Sequence, residues 1–136
     1  MKTIKNVIFS TALMFLMASC ASTVKFPVSN VTPAADISAK MKKDNNDNYA
    51  IMVTANHIAN AERLSPPRKT YVVWISTKNN GVHNIGQMKI NDNKKCTLQT
   101  LSPFEPQEIF ITAEDSGTVS YPSGVEITRT VFDKLK

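Results

Sequence analysis

The chain has 136 residues, of which 42% are hydrophobic and 20% are charged, and its formal net charge is +5 at pH 7. This composition is typical of a globular chain, and the length predicts one main domain with a core of its own. No block of lysine and arginine is interleaved with aromatic residues, so we expect no nucleic-acid partner.

The first twenty residues have the layout of a secretory signal peptide. Lys2 and Lys5 make the start positive, and Val7 to Met17 is an apolar stretch with two polar interruptions. That stretch is too short for a membrane-spanning helix, which needs about 20 apolar residues. Two small residues then precede Cys20. The sequence therefore predicts an export signal over residues 1–19.

The segment Leu16-Met17-Ala18-Ser19-Cys20 resembles the lipobox of bacterial lipoproteins. In that family the cysteine thiol takes a diacylglycerol, and two or more acyl chains give stable membrane attachment. The segment departs from the family at Met17, where leucine is more common. The resemblance implies a lipidation site at Cys20 and a place on the extracytoplasmic side of a bacterial membrane. The alternative is a plain signal peptide that is cut near Ala18.

Removal of residues 1–19 would take away Lys2 and Lys5, so the net charge would fall from +5 to about +3. Residues 20–35 are rich in Ser, Thr, Pro and Ala. We expect them to form a lipid-anchored tether, although Val24 to Val28 could already add to a sheet. The densest basic patch, Lys40 with Lys42 and Lys43, is best interpreted as the solvated face of one strand.

Seven later segments have the apolar alternation or the compact apolar runs of β-strands. The central one, Tyr71 to Ile75, has three β-branched residues and the single tryptophan, Trp74. That composition predicts a strand buried on both faces, with Trp74 as an aromatic anchor. The other six predicted strands are Ile37–Met41, Tyr49–Ala55, His83–Ile90, Cys96–Leu101, Glu108–Ala113 and Val125–Phe132.

Turn signals separate these strands, and no long helix is predicted between them. Residues 56–69 contain Pro66-Pro67, which cannot join a central strand, so we expect a long crossover loop there. Many short strands with regular turns are typical of an antiparallel β-sandwich. The prediction is an all-β domain of about seven strands over residues 36–136.

Four short motifs occur in order along the second half of the chain. They are Tyr71-x-x-Trp74-Ile75, Asn84-Ile85-Gly86, Phe110-Ile111-Thr112-Ala113-Glu114 and Pro122-Ser123-Gly124-Val125. Together they resemble the C-terminal extracytoplasmic domain of anti-sigma-K factors, over residues 49–131. The resemblance implies an immunoglobulin-like sandwich outside the cytoplasm. The family's cytoplasmic sigma-binding domain and membrane helix have no counterpart here, so sigma inhibition is not carried over.

One polar stretch has a possible metal interpretation. Asp44, Asn46 and Asn48 stand at alternate positions, as in the first half of a calcium loop. The second half is missing, because position 49 is not glycine and Ala55 stands where a bidentate glutamate is expected. Asp and Asn are also the usual turn residues, so a plain turn is the favoured interpretation.

The remaining candidates for chemistry are His57, His83, Cys96, Glu114 and Asp115. The two histidines have no short-spaced partner, so they do not make a zinc motif. Glu114-Asp115 is interpreted as a turn. Cys96 would be unpaired if Cys20 is acylated, and its strand context predicts a buried thiol rather than a nucleophile.

These observations favour a non-enzymatic envelope lipoprotein that binds or scaffolds. We expect no catalytic residue, cofactor site or metal site. The expected partners are the membrane, through the lipid at Cys20, and an envelope protein. Two alternatives stay open: an accessory component of a sigma/anti-sigma signalling system, and a hydrolase or metal enzyme that uses the histidines, Glu114 and Asp115.

The first prediction is that the mature domain folds without a metal ion. A chain of this size with so many apolar strand positions builds a core without a metal staple. The melting temperature should therefore be the same in chelator, in calcium and in zinc. A rise of several degrees with either ion that disappears in Asp44→Ala or His57→Ala would contradict the prediction, because an ion that binds the folded state stabilises it.

Overall fold

A computed structural model of the chain describes residues 21–79, 81–91 and 95–132. Within these ranges the chain forms nine β-strands and one short 3-10 turn, Ala61–Arg63. The strands are β1 (Ala21–Lys25), β2 (Asp36–Lys43), β3 (Tyr49–Asn56), β4 (Thr70–Thr77), β5 (Gly81–Gln87), β6 (Lys89–Ile90), β7 (Cys96–Ser102), β8 (Glu108–Glu114) and β9 (Val125–Val131).

The strands form two antiparallel sheets that pack face to face as a β-sandwich. The first sheet has five strands in the order β1-β2-β3-β7-β6, and the second has four in the order β5-β4-β8-β9. The chain crosses between the sheets three times, from β3 to β4, from β5 to β6 and from β7 to β8, in the manner of immunoglobulin-like domains, whose sheets have the orders A-B-E-D and C′-C-F-G. The predicted fold class is confirmed, and β1 adds an edge strand to it.

The core lies between the sheets, and it follows the alternation of each strand. Ile37, Ala39 and Met41 of β2 point inward, and the β4 residues Val73 and Ile75 face them across the sandwich core. Each of these side chains is at most 3% exposed. Alternate residues of β2 point to solvent, because successive side chains of a strand lie on opposite faces.

The central strand β4 is buried on both faces, as predicted. Its inward residues join the main core, whereas Val72 and Trp74 lie on the outer face of the second sheet and are 0% exposed. They cluster there with Phe110 of β8, and Val119 of the loop between β8 and β9 packs against them. The Trp74 and Phe110 rings are stacked with centroids 6.3 Å apart. Trp74 therefore anchors a second, smaller core beneath this loop.

The predicted strand His83–Ile90 is in fact two strands in different sheets. β5 ends at Gln87 beside β4, and the two residues of β6 pair with β7 in the other sheet. Met88, 5% exposed, lies between them and packs in the core. The chain passes from one sheet to the other at Met88 without a turn residue or a break in the apolar pattern, so the sequence predicts one continuous strand.

Part of the segment predicted as a tether, residues 20–35, is folded into the domain. Ala21–Lys25 form β1, which pairs with β2 from Ala21 opposite Lys42 to Lys25 opposite Ser38. Phe26 is 6% exposed and belongs to the main core. The polar composition of this segment is that of an edge strand, which has one face in solvent.

The part of the chain that the structure describes contains no helix long and apolar enough to cross a membrane.

We predict that Trp74→Ala destabilises the domain by about 3–5 kcal/mol, because truncation of a buried aromatic residue leaves a cavity. The variant should melt at a much lower temperature or fail to fold. Tyr121→Ala is the matched control, since Tyr121 is 72% exposed. An unchanged melting midpoint in Trp74→Ala would show that Trp74 is accessible and available to stack on a ligand.

Candidate functional sites

The predicted lipidation residue, Cys20, lies outside the described residues. The structure does describe its neighbour in the chain, Ala21, which is the first residue of β1 and is exposed. Ala21 pairs with Lys42 at one end of the first sheet. A group attached to Cys20 is therefore covalently next to the edge of the folded sandwich, with no intervening linker.

A buried carboxylate lies at the end of β8. Glu114 is 1% exposed, although the sequence suggested a turn residue. Its Oε1 accepts a hydrogen bond of 2.7 Å from the hydroxyl of Thr112, and that hydroxyl in turn accepts one of 2.8 Å from Nε1 of Trp74. The indole nitrogen of the buried tryptophan is thus connected to the carboxylate through one threonine.

The same carboxylate binds the chain where it returns towards β9. Oε1 accepts the backbone N–H groups of Ser123 and Gly124 at 3.0 Å each, and Oε2 accepts the hydroxyl of Ser123 at 2.9 Å. Gly124 is required by space, since a Cβ there would lie 1.7 Å from the carbonyl oxygen of Ala113. The carboxylate therefore fixes the end of the loop of residues 115–124.

Burial by itself opposes the charged form of Glu114. The hydrogen bonds from Thr112, Gly124 and Ser123 outweigh it, and they hold the pKa of Glu114 below its ordinary value. Glu114 is therefore a charged, fully hydrogen-bonded structural group. A catalytic acid would need the opposite shift, towards neutral pH.

The middle of the loop of residues 115–124 is held by Asn84 of β5. Its side-chain amide nitrogen donates to the carbonyl oxygens of Gly117 and Val119 at 3.0 and 2.9 Å. Its side-chain oxygen accepts the N–H of Gly86 at 2.9 Å, at the β-bulge that follows in β5. These three bonds keep Val119 in place over the Trp74 cluster.

The four motifs that resemble anti-sigma-K factors meet in this one region. Trp74, Asn84, Thr112, Glu114 and Gly124 each supply a bond or a steric requirement to the loop over the second sheet. Their roles are internal to the fold. The resemblance to anti-sigma-K factors and a role in sigma signalling both stay predictions.

The histidines and Asp115 are not gathered into one site. His57 follows β3 at one end of the sandwich, whereas His83 lies in β5 and stacks on Phe104 with ring centroids 4.5 Å apart. Asp115 is bound by Arg68, with an N–O distance of 2.9 Å. Across the described ranges, no group of three or more His, Cys, Asp and Glu residues is placed to hold a metal ion.

The half calcium loop is a turn, as the favoured interpretation predicted. One carboxylate oxygen of Asp44 accepts the N–H of Asn46 at 2.8 Å and that of Asn48 at 2.9 Å. The N–H of Asp44 donates to the carbonyl oxygen of Asn48 at 2.8 Å, which closes the hairpin between β2 and β3. The side chain that would be the first calcium ligand is used to shape the turn.

Cys96 is buried at 3% exposure, as predicted. Burial raises the pKa of its thiol to about 11, so the nucleophilic thiolate is scarce at neutral pH. It borders a cavity of about 250 Å³ together with Tyr71, Met88 and Ile90. The Tyr71 hydroxyl donates to the carbonyl oxygen of Ala59 at 2.6 Å, and burial, followed by the charge of Cys96, raises the Tyr71 pKa to about 12.

A larger cleft of about 710 Å³ lies at the opposite end of the sandwich. Met41 and Phe132 give it an apolar wall, and Lys78, Glu105 and Glu108 give it charged groups. Glu108 is already bonded to Ser76 at 3.0 Å and to Arg129 at 3.2 Å. The carboxylate of Glu108 is therefore engaged by its neighbours on the sheet.

Comparison of the chain with protein-family models, with curated proteins and with solved structures found no significant match.

We predict that Glu114→Gln destabilises the domain by about 2–3 kcal/mol at pH 7, because charge-assisted hydrogen bonds are replaced by weaker ones around a buried group. The expected difference in unfolding free energy depends on pH. A carboxylate whose pKa is lowered on folding stabilises the fold above its ordinary value of 4.5, and this contribution is lost as the pH falls through the lower folded-state pKa.

The measurement is urea unfolding of both proteins between pH 3 and pH 8, followed by the fluorescence of Trp74. Glu62→Gln is the matched control, since Glu62 is exposed in the 3-10 turn. The difference in unfolding free energy between wild type and Glu114→Gln should become smaller in acid. Glu62→Gln should unfold with the same free energy as wild type at every pH. A gap that is absent at pH 7, or that widens in acid, would show that Glu114 is not a charged anchor.

Proposed function

We propose that this protein is a non-enzymatic lipoprotein of the bacterial envelope, in which an immunoglobulin-like sandwich serves as a binding or scaffolding module. Cys20 carries the lipid, residues 1–19 are the export signal, and the sandwich lies on the extracytoplasmic side of the membrane. The lipid supplies the attachment, and the domain supplies the surface that recognises an envelope partner.

The observation that carries this proposal is the position of β1 relative to the lipobox-like segment. Ala21, directly after the cysteine of the lipobox-like segment, is already paired in β1. The core is built from residues on the far side of that cysteine, beginning with Val24 and Phe26. Cleavage before Cys20 would therefore leave every described strand intact, as processing to a stable mature protein requires.

The side chains that could act as acids, bases or nucleophiles also support a binding role over catalysis. Glu114 is enclosed by hydrogen bonds, Asp44 shapes a turn, and Asp115 is paired with Arg68. The Cys96 thiol is buried. Each of these groups is engaged in holding the fold. What the domain offers to a partner is its surface, and a recognition role is proposed for it by analogy with other immunoglobulin-like sandwiches.

The test is replacement of Cys20 in full-length protein made in bacteria. Wild-type protein should carry a diacylglycerol mass on its N-terminal peptide and fractionate with membranes. Cys20→Ser should lose that mass and leave the membrane fraction, since a single anchor is removed. Cys96→Ala is the matched control, because it removes the other, buried cysteine. Wild-type protein without an acyl mass would overturn the proposal.

A further inference from the structure

The outer face of the first sheet and the outer face of the second sheet carry different charged side chains. The strand residues on the outer face of the first sheet include four lysines and one acid: Lys25, Lys40, Lys42, Lys89 and Asp36. Those on the outer face of the second sheet that reach the surface are two glutamates bonded to one arginine, Glu108, Glu126 and Arg129, whereas Glu114 is buried there beneath the loop. We call the first of these surfaces the lysine face.

The strand registers place the four lysines on one surface although they are far apart in sequence. Lys42 lies opposite Ala21, and Lys40 lies opposite Thr23. Lys25 and Lys89 belong to one row that crosses all five strands through Ser38, Thr54 and Thr97. With strands about 4.8 Å apart, that row spans roughly 20 Å. Lys43, by contrast, pairs with Asp47 at 3.4 Å in the turn.

The lysine face also has exposed apolar groups between its charges. Met52 is 45% exposed and lies opposite Lys40, and Leu101 is 62% exposed and lies in the row of Lys42. Asp36, the acid of this face, is bound by Lys25 at 3.4 Å. The surface is thus a shallow sheet with a positive, partly apolar character, which suits a broad anionic partner better than a small ligand.

The position of Cys20 in the chain determines that the broad surface nearest to the lysine face is the bilayer. It is joined covalently to Ala21, which lies at the corner of the face directly opposite Lys42. Two residues along a strand span about 7 Å, so Lys40 lies only a little further from the anchor. A lipid on Cys20 would hold these lysines at high effective concentration beside the bilayer surface.

We propose that the lysine face rests on the anionic surface of the bilayer in which the Cys20 lipid is embedded. This proposal rests on the proposed function. Lysines beside a membrane are attracted by acidic phospholipid head groups, and their long side chains reach the phosphates while the sheet stays outside. The outer face of the second sheet, with Glu108 and Glu126 bonded to Arg129, and the loop over Trp74 then point away from the membrane, where an envelope partner can reach them.

The test uses full-length acylated protein in vesicles of phosphatidylcholine with 30% phosphatidylglycerol, and in vesicles of phosphatidylcholine alone. Acetylation of each lysine is followed by mass spectrometry, which also reports the acyl mass. Lys40 and Lys42 should react at least about fivefold more slowly in the anionic vesicles. Lys69 and Lys78, which are exposed outside the lysine face, should be unaffected. High salt should remove the protection.

Two double variants with the same change in charge supply the control. Lys40→Glu with Lys42→Glu should abolish the protection of Lys25 and Lys89. Lys69→Glu with Lys78→Glu should leave it intact. Circular dichroism confirms that each variant is folded, and all four substituted positions are exposed.

Three other outcomes would overturn the proposed docking. Acylated protein in which Lys40 and Lys42 react like the control lysines overturns the docking and leaves the lipoprotein proposal standing. Protection that occurs in native envelopes but not in protein-free vesicles also overturns it, in favour of an acidic protein. Absence of the acyl mass overturns the proposed function and the docking with it.

Discussion

The second sheet depends on one buried carboxylate. Glu114 joins two parts of the chain, since it receives bonds from Thr112 of its own strand and from the segment Ser123-Gly124 before β9. Removal of a carboxylate from water is costly unless it is paired or fully hydrogen-bonded, and here all the partners are neutral donors. The charge is kept because four hydrogen bonds replace the lost water. The covering loop, and with it the burial of Trp74, follows from that arrangement.

The residues that hold this buried carboxylate determine the fold of the domain, and other residues form its surface. The residues of the four sequence motifs hold the loop of residues 115–124, the bulge at Gly86 and the Trp74 cluster. They explain why a sandwich forms, and they say little about what it binds. The surface differs between the two sheets, with four lysines on the outer face of the first sheet and two glutamates paired with Arg129 on the outer face of the second. With the proposed lipid at Cys20, the outer face of the first sheet is turned towards the membrane and that of the second sheet away from it.

The sequence allowed the strands and the fold class to be predicted because apolar alternation and turn residues are local signals. It could not show which face Trp74 occupies, since a run of five apolar residues has no alternation. It suggested a turn at Glu114, because the bonds that bury this carboxylate come from residues nine and ten positions later. Lys25 and Lys89 were not grouped with Lys40, because only strand pairing brings them to one face.

The state of the Ser123 and Gly124 amides tests the central role of Glu114 most directly. In an NMR pH titration of the labelled domain, both amide protons should shift together with the Glu114 carboxyl carbon, at a pH below the ordinary pKa of glutamate, because they bond to its charged oxygen. Both should also exchange slowly with solvent at neutral pH. Amides that exchange as fast as that of exposed Asn45, or that do not follow the titration of Glu114, would contradict this account.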